Sequence, residues 1–270
     1  MNKISFVLPI IRKDAVLAQI CVYSIFKLFN HLDIDVFYVI TRPDDIDFFS
    51  NLFQQYSPYL KVLNQNDIYQ NNISQTGWHI QQVLKLYVSE LINTEYYLIL
   101  DADCYLTKKI NYGDLFVDGK PILSLIHKHR NDWLIKSCEY YELDYDNDVP
   151  DTILNVTPQL CNTRIVKELL LTNSHIPELI NNGCNEFWLY FCYLLKCYDF
   201  YDVYHVDVNK QLSNNGIWHT NNIKQGSIEF TINSQFQDPS TIFTLFQSNM
   251  HIQPDLYVHF IVKNIDEKSK

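Results

Sequence analysis

The run Leu98-Ile99-Leu100-Asp101-Ala102-Asp103-Cys104-Tyr105-Leu106 sets two carboxylates, two residues apart, between apolar segments. A short apolar stretch bounded by charge reads as a strand buried on both faces, and such strands belong to parallel sheets covered by helices. Residues two apart in an extended segment point the same way, so Asp101 and Asp103 should emerge together where the strand ends. Two like charges aimed together repel unless a cation joins them. Hard divalent cations such as Mg²⁺ or Mn²⁺ prefer carboxylate oxygen and bridge to phosphates. The competing reading is a chance Asp-x-Asp turn, against which the preceding buried strand counts.

Upstream, the apolar pattern alternates between two periods. Ile4–Ile10, Ile34–Ile40, Leu60–Leu63 and Tyr96–Leu100 read as strands. Ala15–Phe29, Asp45–Tyr56 and the stretch from about Trp78 to Ile92 read as helices, with a polar loop over Asn64–Thr76. This alternation predicts an α/β domain with a mostly parallel central sheet flanked by helices. Ligands of such sheets bind beyond the carboxyl ends of the strands. On the last helix Trp78, Gln81, Gln82, Lys85 and Ser89 share one face, within about 100° of each other, while Ile80, Val83, Leu84, Tyr87 and Leu91 fill the other. A solvated face explains the Gln and Lys residues but not Trp78; a ligand-facing one explains all of them.

The second half is less regular. Pro121–Ile126 reads as a strand, and Asp132–Tyr141, Thr163–Leu171 and the nearly all-apolar Glu186–Tyr198 as helices. Tyr201–Val208, Ser227–Ile232 and Leu256–Val262 read as further strands, and Ser240–Phe246 as a helix. No internal repeat or low-complexity linker divides the chain, so residues 1–270 are expected to form a single domain with an elaborated C-terminal half.

Composition bounds the function. With 270 residues, 47% of them apolar, the chain can build a substantial core, which excludes a disordered tail or a rod. A net charge of -10 excludes a general nucleic-acid binder, because phosphate neutralisation needs basic surplus. Only 3 Ala and 4 Arg point to AT-rich coding, as in an AT-rich microbe or large virus. Seven scattered cysteines without a Cys-x-x-Cys spacing suggest free, buried thiols in a reducing compartment. Ile4–Ile11 is too short for a membrane span and lacks a signal-peptide cleavage pattern. A cytoplasmic protein follows, in the host cytoplasm or virion if viral.

Gly77-Trp78-His79-Ile80-Gln81-Gln82-Val83-Leu84-Lys85-Leu86 followed by Leu98-Ile99-Leu100-Asp101-Ala102-Asp103 resembles the Trp-x-x-Gln-Gln-x-x-Lys-Leu and Leu-Asp-Ala-Asp motifs of a family of GT-A fold glycosyltransferases, the nucleotide-diphospho-sugar transferases. Thr157-Pro158-Gln159-Leu160-Cys161-Asn162 and Asn185-Glu186-Phe187-Trp188-Leu189-Tyr190 resemble later parts of that pattern. The likeness spans roughly residues 75 to 195. It implies transfer of a sugar from a UDP- or GDP-sugar to a glycan, protein or other hydroxyl acceptor, with residues 1–110 binding the nucleotide and 111–270 the acceptor. It implies Mn²⁺ or Mg²⁺ on Asp103 and Asp101, with Asp101 also able to serve the ribose. Pro9, Ile10, Thr41, Arg42 and Asp44 would hold the base and ribose, and Trp78, Gln81, Gln82, Lys85 and Ala102 would complete the donor site. His219 is the candidate third metal ligand, with His251 and His259 as alternatives. Lys85 would support the leaving diphosphate electrostatically. Glu186, at the start of a buried helix, would be the base of an inverting enzyme; its placement alone also fits a stabilising helix-start carboxylate, and a retaining enzyme would not need it.

Two rival readings differ in class. A haloacid dehalogenase-type phosphatase also ends a strand in Asp-x-Asp, but it wants Thr or Val where Tyr105 stands, and its motif opens the chain. Gly113-Asp114-x-x-x-Asp118 resembles its later acidic motif but comes too soon. A transferase-like protein that has lost turnover and binds glycans or partners is the non-enzymatic alternative; retention of both aspartates argues against it.

Overall fold

The computed structural model of the protein describes residues 2–70, 77–213, 215–223, 227–250 and 252–270. Strand β1 (Ile4–Pro9) leads to helix α1 (Ala15–Leu28), β2 (Ile34–Thr41) to α2 (Ile46–Leu52), and β3 (Leu60–Asn64) to the single turn α3 (Gln65–Ile68). Helix α4 (Gly77–Tyr87) and a 3-10 turn (Val88–Leu91) precede β4 (Tyr96–Ile99). These four strands are parallel, in the spatial order β4-β1-β2-β3.

The period of two along each strand builds two cores. Phe6 and Leu8, Phe37 and Val39, and Leu98 pack on one side with Ala18, Val22 and Ile25 of α1. Val7, Tyr38 and Ile40, and Tyr97 and Ile99 pack on the other with Val83, Leu84 and Leu86 of α4. Each such fully buried apolar side chain contributes about 1.5–3 kcal/mol relative to exposure.

The strand order reverses at β1. The chain moves outward to β2 and β3, then returns to lay β4 on the other edge of β1. Loops leaving two adjacent strands at such a switch diverge and leave a crevice beyond their carboxyl ends. Pairing persists right up to that point: Leu100 N–H donates to Val7 O at 2.9 Å and Ile10 N–H to Ile40 O at 2.8 Å. Asp101 and Ile10 therefore start the two diverging loops.

After the acidic pair comes β5 (Cys104–Leu106), then the hairpin β6 (Phe116–Val117) and β7 (Lys120–Pro121). Asp118 and Gly119 turn this hairpin at φ 51° and 79°, as two-residue hairpin turns demand. Gly113 and Asp114 lie in a 3-10 turn closed by a capping box from Asn111. The string that resembled a phosphatase motif is turn chemistry. Next, β8 (Leu125–His127), α5 (Asp132–Tyr140) and β9 (Thr152–Leu154) follow, with β8 and β9 paired. β10 (Gln159–Asn162) joins the main sheet antiparallel to β4, and α6 (Thr163–Thr172), α7 (Ile176–Asn181) and α8 (Glu186–Cys197) contribute to the core on the α4 side. α9 (Phe200–Val203), α10 (Ile228–Gln237), β11 (Phe243–Leu245) and α11 (Val258–Ser269) finish the chain; β11 pairs with β5, and α11 packs on α1 and α10.

The C-terminal part corrects several expectations. Ser227–Ile232 is not a strand: Ser227 caps α10, its side chain accepting from Phe230 N–H. Leu256–Val262 runs into α11, whose buried Ile261 and Ile265 are one turn apart. Ser240–Phe246 contains β11 instead of a helix, because its backbone completes the pairing that β5 lacks on that edge. Tyr201–Val208 holds the end of α9 and a single bridge from His205 to Ile122. The cysteines are free, six of them buried and Cys197 exposed.

Candidate active site

At the switch point the ends of β1, β2 and β4 and the first turns of α4 border a cleft of about 450 Å³. Pro9, Ile10, Arg42, Trp78, Gln81, Asp101, Ala102 and Asp103 line it. Both carboxylates of the Asp-x-Asp pair are thus on the cleft wall, but they are held in different ways.

Asp101 is tied to the core. Its Oδ1 accepts from Lys85 Nζ at 2.9 Å and from Gln81 Nε2 at 3.4 Å, and the Thr157 hydroxyl donates to its Oδ2. Lys85 Nζ also lies 2.9 Å from Glu186 Oε1 and 5.1 Å from the centre of the Phe187 ring. The Lys85 and Glu186 side chains are only 5% and 2% exposed. Burial opposes the Lys85 charge, yet the carboxylates of Asp101 and Glu186 outweigh it and hold the ammonium above its ordinary pKa. Burial also raises the Glu186 carboxyl, with Lys85 opposing. The geometry follows from helical spacing. Gln82 and Lys85 are three apart on α4 and meet the start of α8 together, where Gln82 Oε1 accepts from Glu186 N–H at 3.2 Å and Asn185 caps through Phe187 N–H at 3.0 Å.

Asp103 has no such partner. Its residue is 8% exposed, its Oδ2 accepts from Ser248 N–H at 3.0 Å, and its backbone oxygen accepts from Phe246 N–H at 3.2 Å. The β5–β11 pairing brings that donor segment alongside. Burial first, and then the Asp101 charge, push the Asp103 carboxyl up to about 6. A carboxyl held this way lacks positive charge nearby. The donor set fits a hard divalent cation: carboxylate oxygens carry spare lone pairs, and Mg²⁺ commonly uses one or two carboxylates with substrate phosphates completing its shell.

The remaining predicted residues fall outside the cleft lining. Thr41 is buried at the end of β2, and Asp44 is exposed in the turn beyond it. Gln82 and Lys85 are buried behind the cleft wall and engaged with Glu186, and Lys85 meets the cleft through Asp101. Glu186 is enclosed and paired with Lys85, whereas a base must reach the proton it removes. His219 is exposed beside a 3-10 turn and lines a neighbouring hollow with Trp218, Asn221 and Gln247. His259 lines a groove along α11, and His251 lies outside the described residues. Among the described residues no three His, Cys, Asp or Glu side chains form a metal-binding group.

Other residues of the site carried no local signal. Lys13, Asp14, Gln65, Gln247 and Ser248 also line the cleft. The Asp14 carboxyl is raised by burial and by Asp101, against the pull of Lys13. Thr157 belonged to a segment noted for its resemblance, but nothing in the sequence tied it to Asp101.

A mostly parallel sheet with helices on both faces is the arrangement of the GT-A glycosyltransferase fold, and solved structures agree with that fold. Mouse xyloside xylosyltransferase 1 in its apo form matches with a TM-score of 0.52 at 12% identity, over 94% of this chain and 100% of that one. The apo structure of WbbM, a bifunctional glycosyltransferase, matches with a TM-score of 0.55 at 10% identity, over 99% of this chain and 52% of that one, so this chain spans about half of WbbM. At such identities the likeness is one of fold. By sequence, residues 1–267 match the model of DUF6492, described as a family of unknown function, and the chain belongs to that family. No curated protein matches.

Proposed function

We propose that the protein transfers a sugar from a nucleotide diphosphate sugar, UDP- or GDP-linked, to a hydroxyl of a glycan or protein acceptor, with Mn²⁺ or Mg²⁺ as cofactor. The observation that carries this reading is the pair Asp101 and Asp103 on the wall of a 450 Å³ cleft, with the Asp103 carboxyl pushed up to about 6. These two residues would hold the cation, which when bound stabilises charge on the leaving diphosphate. Lys13 and Arg42 are the cations of the cleft wall and would meet the phosphates or ribose. Pro9 and Ile10 would hold the base and ribose, and Trp78 would border the donor sugar at the cleft rim. Lys85 and Glu186 would act from behind, fixing where the Asp101 carboxylate points. Residues 1–110 would then supply the nucleotide half and 111–270 the acceptor half. No helix among the described residues is long and apolar enough to cross a membrane, and we place the activity in a cytoplasm.

The test is a thermal-shift screen of UDP- and GDP-sugars with and without Mn²⁺, repeated with Asp103→Ala. The expected result is stabilisation by one donor class, only with Mn²⁺, and none in the variant. Stabilisation that survives Asp103→Ala would sink the metal assignment. No response to any nucleotide sugar would sink the function.

A further inference from the structure

Two of the four tryptophans stand side by side in solvent at the cleft rim. Trp78, in the first turn of α4, lines the cleft and is 44% exposed; Trp133, in the first turn of α5, is 43% exposed and is not among the lining residues. Their ring centroids are 5.4 Å apart with planes tilted by 38°. The helix start that carries Trp133 is fixed by Asn131, whose Oδ1 caps α5 by accepting from Leu134 N–H at 2.9 Å. Adjacent indoles that each keep more than two-fifths of their surface in solvent form an exposed apolar patch, and such patches mark binding.

We infer that Trp78 and Trp133 form the acceptor platform, on which a neutral pyranose ring of a glycan stacks its C–H face. This rests on the glycosyltransferase reading and names its acceptor class. A pyranose has an apolar face and a hydroxyl rim, so it covers an indole while its polar groups stay in water. The platform is continuous with the donor cleft through Trp78, which sets a stacked ring beside the donor. Trp133 lies outside the cleft lining, so the outer half of the platform is beyond the reach of a nucleobase held in the cleft. A protein of net charge -10 also disfavours an anionic acceptor.

The test is saturation-transfer NMR on the full chain with lactose, maltose, mannobiose and chitobiose, beside UDP and GDP with Mn²⁺. At least one disaccharide should receive saturation on its ring C–H protons. Its affinity should fall about tenfold or more in Trp133→Ala and recover to within about threefold in Trp133→Phe. Melting temperatures of both variants report whether they fold. Failure of every disaccharide to bind wild type, or undiminished binding to Trp133→Ala, overturns the platform. So does loss of UDP or GDP affinity in Trp133→Ala with sugar binding intact, which would make the pair a base site. Disaccharide binding without any nucleotide binding would instead overturn the transferase reading and leave the stacking surface standing.

Discussion

Asp101 divides two regions of opposite electrostatic design. Behind it, Lys85 lies 2.9 Å from both Asp101 and Glu186, in a pocket closed by Phe187 and Gln82. In front of it, Asp103 faces the cleft with one backbone donor from Ser248, and its carboxyl is pushed up to about 6. The protein pairs the carboxylates with its own cation on one side and leaves Asp103 without a cationic partner on the other. A buried ammonium between two carboxylates is a structural solution, because it neutralises Glu186, which cannot reach water, and anchors Asp101 at the cleft wall. A carboxylate left short of charge on a cleft wall is the usual sign of a group meant for a ligand.

Removing the internal cation should break this contrast most strongly. Lys85→Ala strands the buried Glu186 carboxylate without its cation and leaves Asp101 untethered, and the expected loss is about 3–5 kcal/mol in urea unfolding. A loss under about 1 kcal/mol would mean that water reaches the pocket. The residue should therefore register in stability as well as in donor use, a revision of what the polar face of α4 suggested. Glu186→Gln keeps the shape and a hydrogen-bonding oxygen but removes one of the two charges balancing Lys85. We expect a smaller loss, about 2–3 kcal/mol, together with weaker donor binding if Lys85 then shifts Asp101. Stability lost with donor affinity unchanged would confine Glu186 to packing.

The contrast between the two regions also marks where the sequence was legible. The parallel half could be read because β1, β2 and β4 are buried on both faces and their apolar runs admit no other period. Asp101, Asp103, Trp78 and Gln81 could be placed at the ligand edge for the same reason: each follows a strand or opens a helix at the switch point. The C-terminal segments were misread where a short apolar run fits either period. In α10, Gln235 is a polar residue in the core, and its bond with the Tyr105 hydroxyl at 2.8 Å belongs to tertiary structure alone. Ser248 reaches Asp103 across 145 positions, and Thr157 reaches Asp101 across 56. No local pattern carries contacts of that range. The burial of Lys85 was hidden because a helical wheel separates faces without saying what covers the polar one, and here α8 covers it.

The smallest effect tests the open side. Asp103 has a folded pKa of about 6 against 3.8 for an ordinary aspartate. Below about pH 4 the group is protonated in both folded and unfolded chains and imposes no penalty. Between about 4 and 6 the folded protein holds a proton that the unfolded chain has released, so stability falls as pH rises. Above that window the penalty is constant, on the order of 3 kcal/mol. Other carboxylates titrate in the same range, so the measurement is the difference between metal-free wild type and Asp103→Asn at each pH. The variant should gain relative stability across this window and hold the gain above it. Mn²⁺ should reverse the wild-type trend, because a cation at the carboxylate lowers its folded pKa and makes deprotonation favour the fold. A flat difference would show that Asp103 is better solvated than its burial implies. The two sides of Asp101 would then differ only in which of them pairs a buried carboxylate with a lysine.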